Sequence, residues 1–196
     1  MKKMLMKEKR VDEILCSLKK LSYLSRSQIQ ILHKFKSTRT TNKVLKDMEQ
    51  YLSSFRDGEN IYYLNKEGRE RVNSTKVLKK TIQARHFIMR NSIYIAYGCP
   101  STWQNEMKLE VKNKVKIISD ALFQRDKRYY VVEVDHTQKM VKNRNKIERY
   151  RKLIELNVLE KPPFFIWITT TNYRKKQIEK LCTGLEYQIF TISDFH

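Results

Sequence analysis

The chain has 196 residues, with 41 Lys and Arg against 21 Asp and Glu and a formal net charge of +20, enough length for one ordinary domain or two small ones with buried cores. Apolar residues make up 40% of it and run along the whole length, which excludes wholesale disorder. No apolar stretch approaches the roughly 20 residues of a bilayer span, so no membrane partner is expected, and the basic opening MKKMLMKEKR lacks the apolar core of a secretory leader.

The first ten residues are read as a frayed basic arm, and residues 11–21 set Val11, Ile14, Leu15, Leu18 and Leu21 at helical spacing. Ser25 is placed to cap a short helix over 26–34, with Ile29, Ile31 and Leu32 as its apolar positions. After the break Lys36-Ser37-Thr38, a third helix is predicted over 38–53, with Val44, Leu45, Met48, Tyr51 and Leu52 inward. Asp57-Gly58 marks a tight turn between two short strands, the second being Ile61–Leu64. Residues 73–78 form a hinge, giving domains over 1–75 and 76–196, and a helix follows over 77–95 with Ile82, His86, Met89 and Ile93 on one face. The period then changes to alternation over 107–111, over 115–117 and around Asp120, and Tyr129–Val134 suits a central strand. A charged helix over 139–157, a strand over 164–170, a helix near 173–182 and a strand over 187–192 complete an α/β (α+β) chain.

Charge is spread over both parts, with 17 bases and 9 acids up to residue 75 and 24 and 12 beyond it. A field of that sign and extent points to a polyanionic partner, nucleic acid above all. Cys16, Cys99 and Cys182 are odd in number and far apart, which fits a reduced, cytoplasmic chain better than a disulfide framework or a zinc site. No glycine-rich phosphate loop is present among the four glycines, which disfavours nucleotide hydrolysis.

Three helices followed by a two-stranded ribbon make a winged helix-turn-helix plan, and the third helix opens with short polar and basic side chains. A helix entering a major groove needs such residues at its N-terminal end. Arg39 is suited to guanine, Asn42 to adenine, and Thr40 or Thr41 to phosphate or a thymine methyl, with Thr38 a DNA-binding candidate in the same turn. Lys43 and Lys46 would meet backbone phosphate, and the wing carries Arg56 near its tip as a further DNA-binding candidate. The alternative is that the polar turn is only a solvated helix cap.

Asp120 at the end of the second of the later strands and Glu133 and Asp135 on the third form a second constellation, with Glu106 ahead of the first strand. Acids on neighbouring buried strands repel unless compensated, and Mg²⁺ is a cation that takes oxygen ligands of this kind. Glu133 and Asp135, two residues apart, fall on one face of their strand. The order of elements resembles the PD-(D/E)xK nuclease-like fold. The resemblance implies Asp120 and Glu133 as metal and catalytic positions, and Asp135 is a further catalytic candidate beside them. Asp135 stands where that fold carries lysine, and Lys146 on the following helix is the candidate replacement, ahead of Lys139 and Lys116. The alternative is a non-catalytic nuclease-like scaffold that pairs protomers or touches DNA, in which case no cofactor is required.

A resemblance over almost the whole chain is to the replication-relaxation family of Gram-positive plasmids, phages and integrative elements. It rests on Arg39-Thr40-Thr41-Asn42, Tyr62-Tyr63-Leu64-Asn65-Lys66-Glu67-Gly68, His86 to Asn91, Ser119-Asp120-Ala121, Glu133-Val134-Asp135-His136-Thr137-Gln138 and Lys146-Ile147-Glu148-Arg149-Tyr150. Ser119 departs from the proline common before that aspartate. The resemblance implies a part in replication, relaxation or transcriptional control of a mobile element. The expected partners are double-stranded DNA, a second copy in a homodimer, and a replication initiator or regulatory protein. Three readings stay open, the first two being a sequence-specific DNA-binding protein and a Mg²⁺-dependent endonuclease or nickase. A protein-interaction adaptor is the third.

Overall fold

The computed structural model describes residues 2–195, with side chains from residue 6 onward. The chain divides into two compact units, Met1–Asn91 and Ser92–His196.

Unit 1 opens with α1 (Lys2–Leu21), so the basic start expected as an arm is helical. Val11, Ile14, Leu15, Leu18 and Leu21 are its buried stripe, as steps of three and four residues require. A two-residue strand β1 (Leu24–Ser25) leads into α2 (Arg26–Leu32). Ser25 and Gln28 satisfy each other's backbone N–H in a capping box. Ile29 is buried but Ile31 is 59% exposed, because 100° per residue carries it away from the inward stripe. Helix α3 (Thr38–Asp47) stops short of the expected end, and Glu49–Tyr51 forms a 3₁₀ turn before β2 (Leu52–Asp57). Gly58, at φ +75, turns the chain into β3 (Glu59–Leu64), which pairs antiparallel with β2 from Leu52↔Leu64 to Asp57↔Glu59. β1 pairs with the other edge of β3, giving the sheet order β1-β3-β2. Helix α4 (Lys66–Arg71) is capped by Asn65. A Cβ at Gly68 would lie 2.1 Å from the carbonyl oxygen of Tyr51, so only glycine fits there.

Helix α5 (Ala84–Ala96) begins seven residues later than its periodicity predicts. Thr81 accepts from the N–H of Gln83 just ahead of it, and Ile82 is left 89% exposed. Its Arg90 and Asn91 are buried. Arg90 Nη2 donates to the carbonyl of Leu21 at 3.1 Å, and Asn91 Nδ2 donates to those of Leu21 and Tyr23 at 3.2 and 2.7 Å. They satisfy carbonyls at the end of α1 and just beyond it.

Unit 2 is a five-stranded sheet, β4 (Gln104–Val111), β5 (Val115–Arg125), β6 (Arg128–Asp135), β7 (Phe164–Thr169) and β8 (Tyr187–Thr191), in the order β4-β5-β6-β7-β8. The first three strands are antiparallel, and β6-β7-β8 are parallel. Parallel neighbours need crossovers, supplied by α6 (Met140–Glu155) and α7 (Asn172–Leu181). Val131, Phe165, Trp167 and Ile189 from the sheet pack with Ile147, Leu153 and Ile178 from these helices. A separate aromatic row runs Trp103–Phe123–Tyr130–Phe164, with ring centroids 5.7, 4.9 and 5.4 Å apart. Strand β5 is longer than the alternation predicts and turns tightly into β6 through Asp126 and Lys127, at φ +50 and +60.

Candidate functional site

In unit 1 the Oγ of Ser37 accepts from the N–H of Thr40 at 3.2 Å and starts α3. Thr38, Arg39, Thr40, Asn42, Lys43 and Lys46 are exposed along it. Thr41 corrects the sequence reading. It is fully buried, and its hydroxyl donates to the Ser37 carbonyl at 2.9 Å, so it is a structural residue with no access to a ligand. Arg56, exposed on the hairpin, pairs in register with Asn60. A concavity of about 250 Å³ gathers Asn42 of α3, Arg56, Gly58, Glu59 and Asn60 of the hairpin, and Arg26 of α2. Glu59 anchors it, accepting from the N–H of Ser27 at 2.9 Å and standing 3.5 Å from Arg26 Nη2. The Nε of Arg26 is buried without a hydrogen-bond partner. Sequence reasoning missed Arg26, whose only signal was its place directly after a capping serine.

In unit 2 Asp120 lies in the middle of β5, where the sequence reading put it at a strand end. Its Oδ2 accepts from the N–H of Val134 at 2.7 Å. Glu106 lies inside β4 at φ +54, between the register pairs Asn105↔Ala121 and Met107↔Ser119 and thus across from Asp120. Glu133 is buried, with one oxygen on Lys146 Nζ and the other on the hydroxyl of Tyr150. Burial pushes its carboxyl up to about 8, the Lys146 charge opposing and the Asp120 charge adding to the rise. Lys146 loses solvation, but Glu133 and Asp120 hold its ammonium above the usual lysine value. Asp120, Glu133, Lys146 and Tyr150 are therefore one group. Tyr150, one helical turn beyond Lys146 on the same face, is a member of the group that the sequence reading did not place in a site.

Asp135 belongs to a different group. Fully buried, it accepts from Arg174 Nε and Nη2 at 2.6 Å each, from Thr169 Oγ1 at 2.7 Å and from Asn143 Nδ2 at 2.8 Å. Burial alone would raise its carboxyl, but Arg174, Asn143 and Thr169 together hold it below the usual aspartate value. Every lone-pair direction is taken within the fold, which leaves Asp135 a structural ion pair.

Among the described residues no group of three or more His, Cys, Asp and Glu stands ready to hold a metal. Magnesium, however, is commonly held by one or two carboxylates and water. Asp120 and Glu133 are oxygen donors of that kind and would be the residues to hold such an ion, although Lys146 and Tyr150 already engage both oxygens of Glu133.

Two α+β units, a three-stranded antiparallel sheet with helices and a mixed five-stranded sheet with crossover helices, define the class of protein. The family model described as replication-relaxation matches residues 15–164, and the chain belongs to that family. No curated protein matches the chain. Among solved structures it is similar to protein VC1899 from Vibrio cholerae, at 10% identity and a TM-score of 0.39, over 91% of this chain and 46% of that one. The chain thus spans less than half the length of that protein. No helix among the described residues is long and apolar enough to cross a membrane.

Proposed function

We propose that the protein binds double-stranded DNA through unit 1, as a winged helix-turn-helix head acting at a site of the element it serves. The observation that carries this reading is the concavity shared by Asn42 on α3 and Arg56 and Asn60 on the hairpin. It lets a helix in the major groove and a wing beside it engage one duplex. Arg39 and Asn42 read base edges, since guanidinium and amide side chains match guanine and adenine bidentately. Lys43, Lys46, Arg56 and the hydroxyls of Thr38 and Thr40 hold phosphates and set the register. A homodimer on two half-sites supplies the specificity that one small head lacks.

The test is to select a preferred site from a random duplex pool and measure it by fluorescence anisotropy. Arg39→Ala and Asn42→Ala are each expected to reduce preference for that site by about fivefold to a hundredfold, at roughly 1–3 kcal/mol per bidentate contact, while weak general binding remains. Unchanged affinity of both variants for the selected site overturns the assignment.

One observation supports a second reading, a Mg²⁺-dependent nuclease or nickase: Asp120, Glu133 and Lys146 form one group although they come from two strands and a helix. Asp120 and Glu133 would hold the ion, which polarises water and phosphate when bound, and Lys146 would stand beside them. Supercoiled plasmid incubated with the protein and Mg²⁺ or Mn²⁺ is expected to be nicked, and an Asp120→Ala/Glu133→Ala variant is expected to leave it intact. Absence of nicking with either metal, in protein that binds the plasmid, removes this reading.

A further inference from the structure

Unit 2 carries a groove of about 830 Å³ between the first half of β5 and α6, lined by six cations, Lys114, Lys116, Lys142, Lys146, Arg149 and Lys152, and by no carboxylate. On the helix, Lys142, Lys146, Arg149 and Lys152 follow one another by four, three and three residues, which sets them in a single stripe. Lys146 is turned to Glu133. Lys142, Arg149 and Lys152 are exposed and form no ion pair among the described residues. Across the groove Lys114 is exposed, and Lys116 stands opposite Glu110 in the β4–β5 register. Between them β5 buries Val115 and Ile117 and leaves Ile118 55% exposed.

Like charges three and four residues apart weaken a helix, and cations around one concavity lie well within a Debye length of about 8–10 Å of each other. The arrangement is relieved when an anion enters. Its length tells which kind of anion fits. From Lys142 to Lys152 the helix rises about 15 Å, against a rise of about 3.4 Å per nucleotide along one strand. A single phosphate would meet only one end of this row, whereas a strand meets all of it. We propose that this groove is a second nucleic-acid contact, which follows a phosphate backbone without reading bases. It uses no residue of unit 1 and stands whether or not α3 reads DNA.

The test uses the full chain and fluorescence anisotropy with two labelled probes, a random-sequence duplex and an oligothymidylate strand, each of about 25 nucleotides in length. Three proteins are compared with the wild type: a head variant (Arg39→Ala, Asn42→Ala, Lys43→Ala, Lys46→Ala), a groove variant (Lys114→Gln, Lys142→Gln, Arg149→Gln, Lys152→Gln), and the two combined. Glutamine keeps helix propensity close to that of lysine and arginine, and an unchanged tryptophan-fluorescence melt verifies that unit 2 is intact.

The groove substitutions are expected to weaken binding of at least one probe by about tenfold or more near 0.1 M salt. They should also lower the slope of log K against log salt by about 2–4, at roughly 0.7–0.9 for each phosphate no longer neutralised. The same weakening is expected between the head variant and the combined variant. If the head variant binds like wild type while the groove variant loses affinity, the reading of unit 1 fails and this one stands. Equal affinities and slopes of head and combined variants for both probes overturn the groove proposal. So does tripolyphosphate binding that the groove substitutions abolish while strand binding is untouched.

Discussion

Alanine in place of Asp135 removes the acceptor on which Arg174, Thr169 and Asn143 converge with four hydrogen bonds of 2.6–2.8 Å. Taking one partner from a buried ion pair costs about 3–5 kcal/mol, because the remaining charge and its neighbours are left unsatisfied. The Arg174 side chain keeps 23% of its exposure and can regain some water, which sets the expectation near the lower end, about 3 kcal/mol. Set against the roughly 5–15 kcal/mol that holds a domain, this is a large fraction. Trp103 and Trp167 are the two tryptophans of the chain, and both lie in unit 2, so indole fluorescence during urea unfolding follows this unit alone. With a urea slope of about 1–3 kcal/mol/M, the midpoint should fall by about 1–3 M. Because a buried pair replaced whole by apolar residues is often neutral, Asp135→Leu/Arg174→Met should recover part of the stability. A midpoint shift equivalent to less than about 1 kcal/mol for Asp135→Ala would falsify the ion-pair account.

Titration separates the two carboxylates by sign. Glu133 has a folded value of about 8, above its ordinary 4.5, so its contribution is complete below pH 4.5 and is lost as pH rises through 8. Wild-type unit 2 should therefore lose tryptophan-monitored stability from pH 5 to 8 relative to Glu133→Gln, and parallel pH profiles of the two proteins refute this. Asp135, held below its ordinary 3.8, contributes above that pH and loses its contribution as pH falls through the lower folded value; acid unfolding of wild type should be steeper there than that of Asp135→Asn. Gly68→Ala should destabilise unit 1 by about 1–3 kcal/mol through overpacking against the Tyr51 backbone, seen as an early helix loss in far-UV circular dichroism without an indole change. A single transition at the wild-type temperature would show that the clash is absent. Lys127→Gly should stabilise unit 2 by about 0.5 kcal/mol, read as a raised fluorescence midpoint, since glycine takes a left-handed turn position without steric penalty; a lowered midpoint contradicts the turn strain.

Local chemistry was legible from residues alone. The apolar spacing of α1, the Ser25–Gln28 cap, the Asp57-Gly58 turn and the buried run of β6 each depend on neighbours a few residues apart, and short-range periodicity and capping report those directly. So was the common face of Glu133 and Asp135, because a strand alternates strictly. Asp126-Lys127 hid a turn because neither residue is glycine, and this left β5 short and Asp120 at its apparent end. Thr40 and Thr41 are chemically equivalent in the sequence, yet one is exposed and the other sealed against Ser37. Glu133 and Asp135, two residues apart, part company because α6 brings Lys146 and Tyr150 to one while α7 brings Arg174, 39 residues along the chain, to the other. What a residue can do chemically is written in its side chain, but which neighbours neutralise, bury or expose it depends on segments that meet only when the sheet and its crossover helices are assembled.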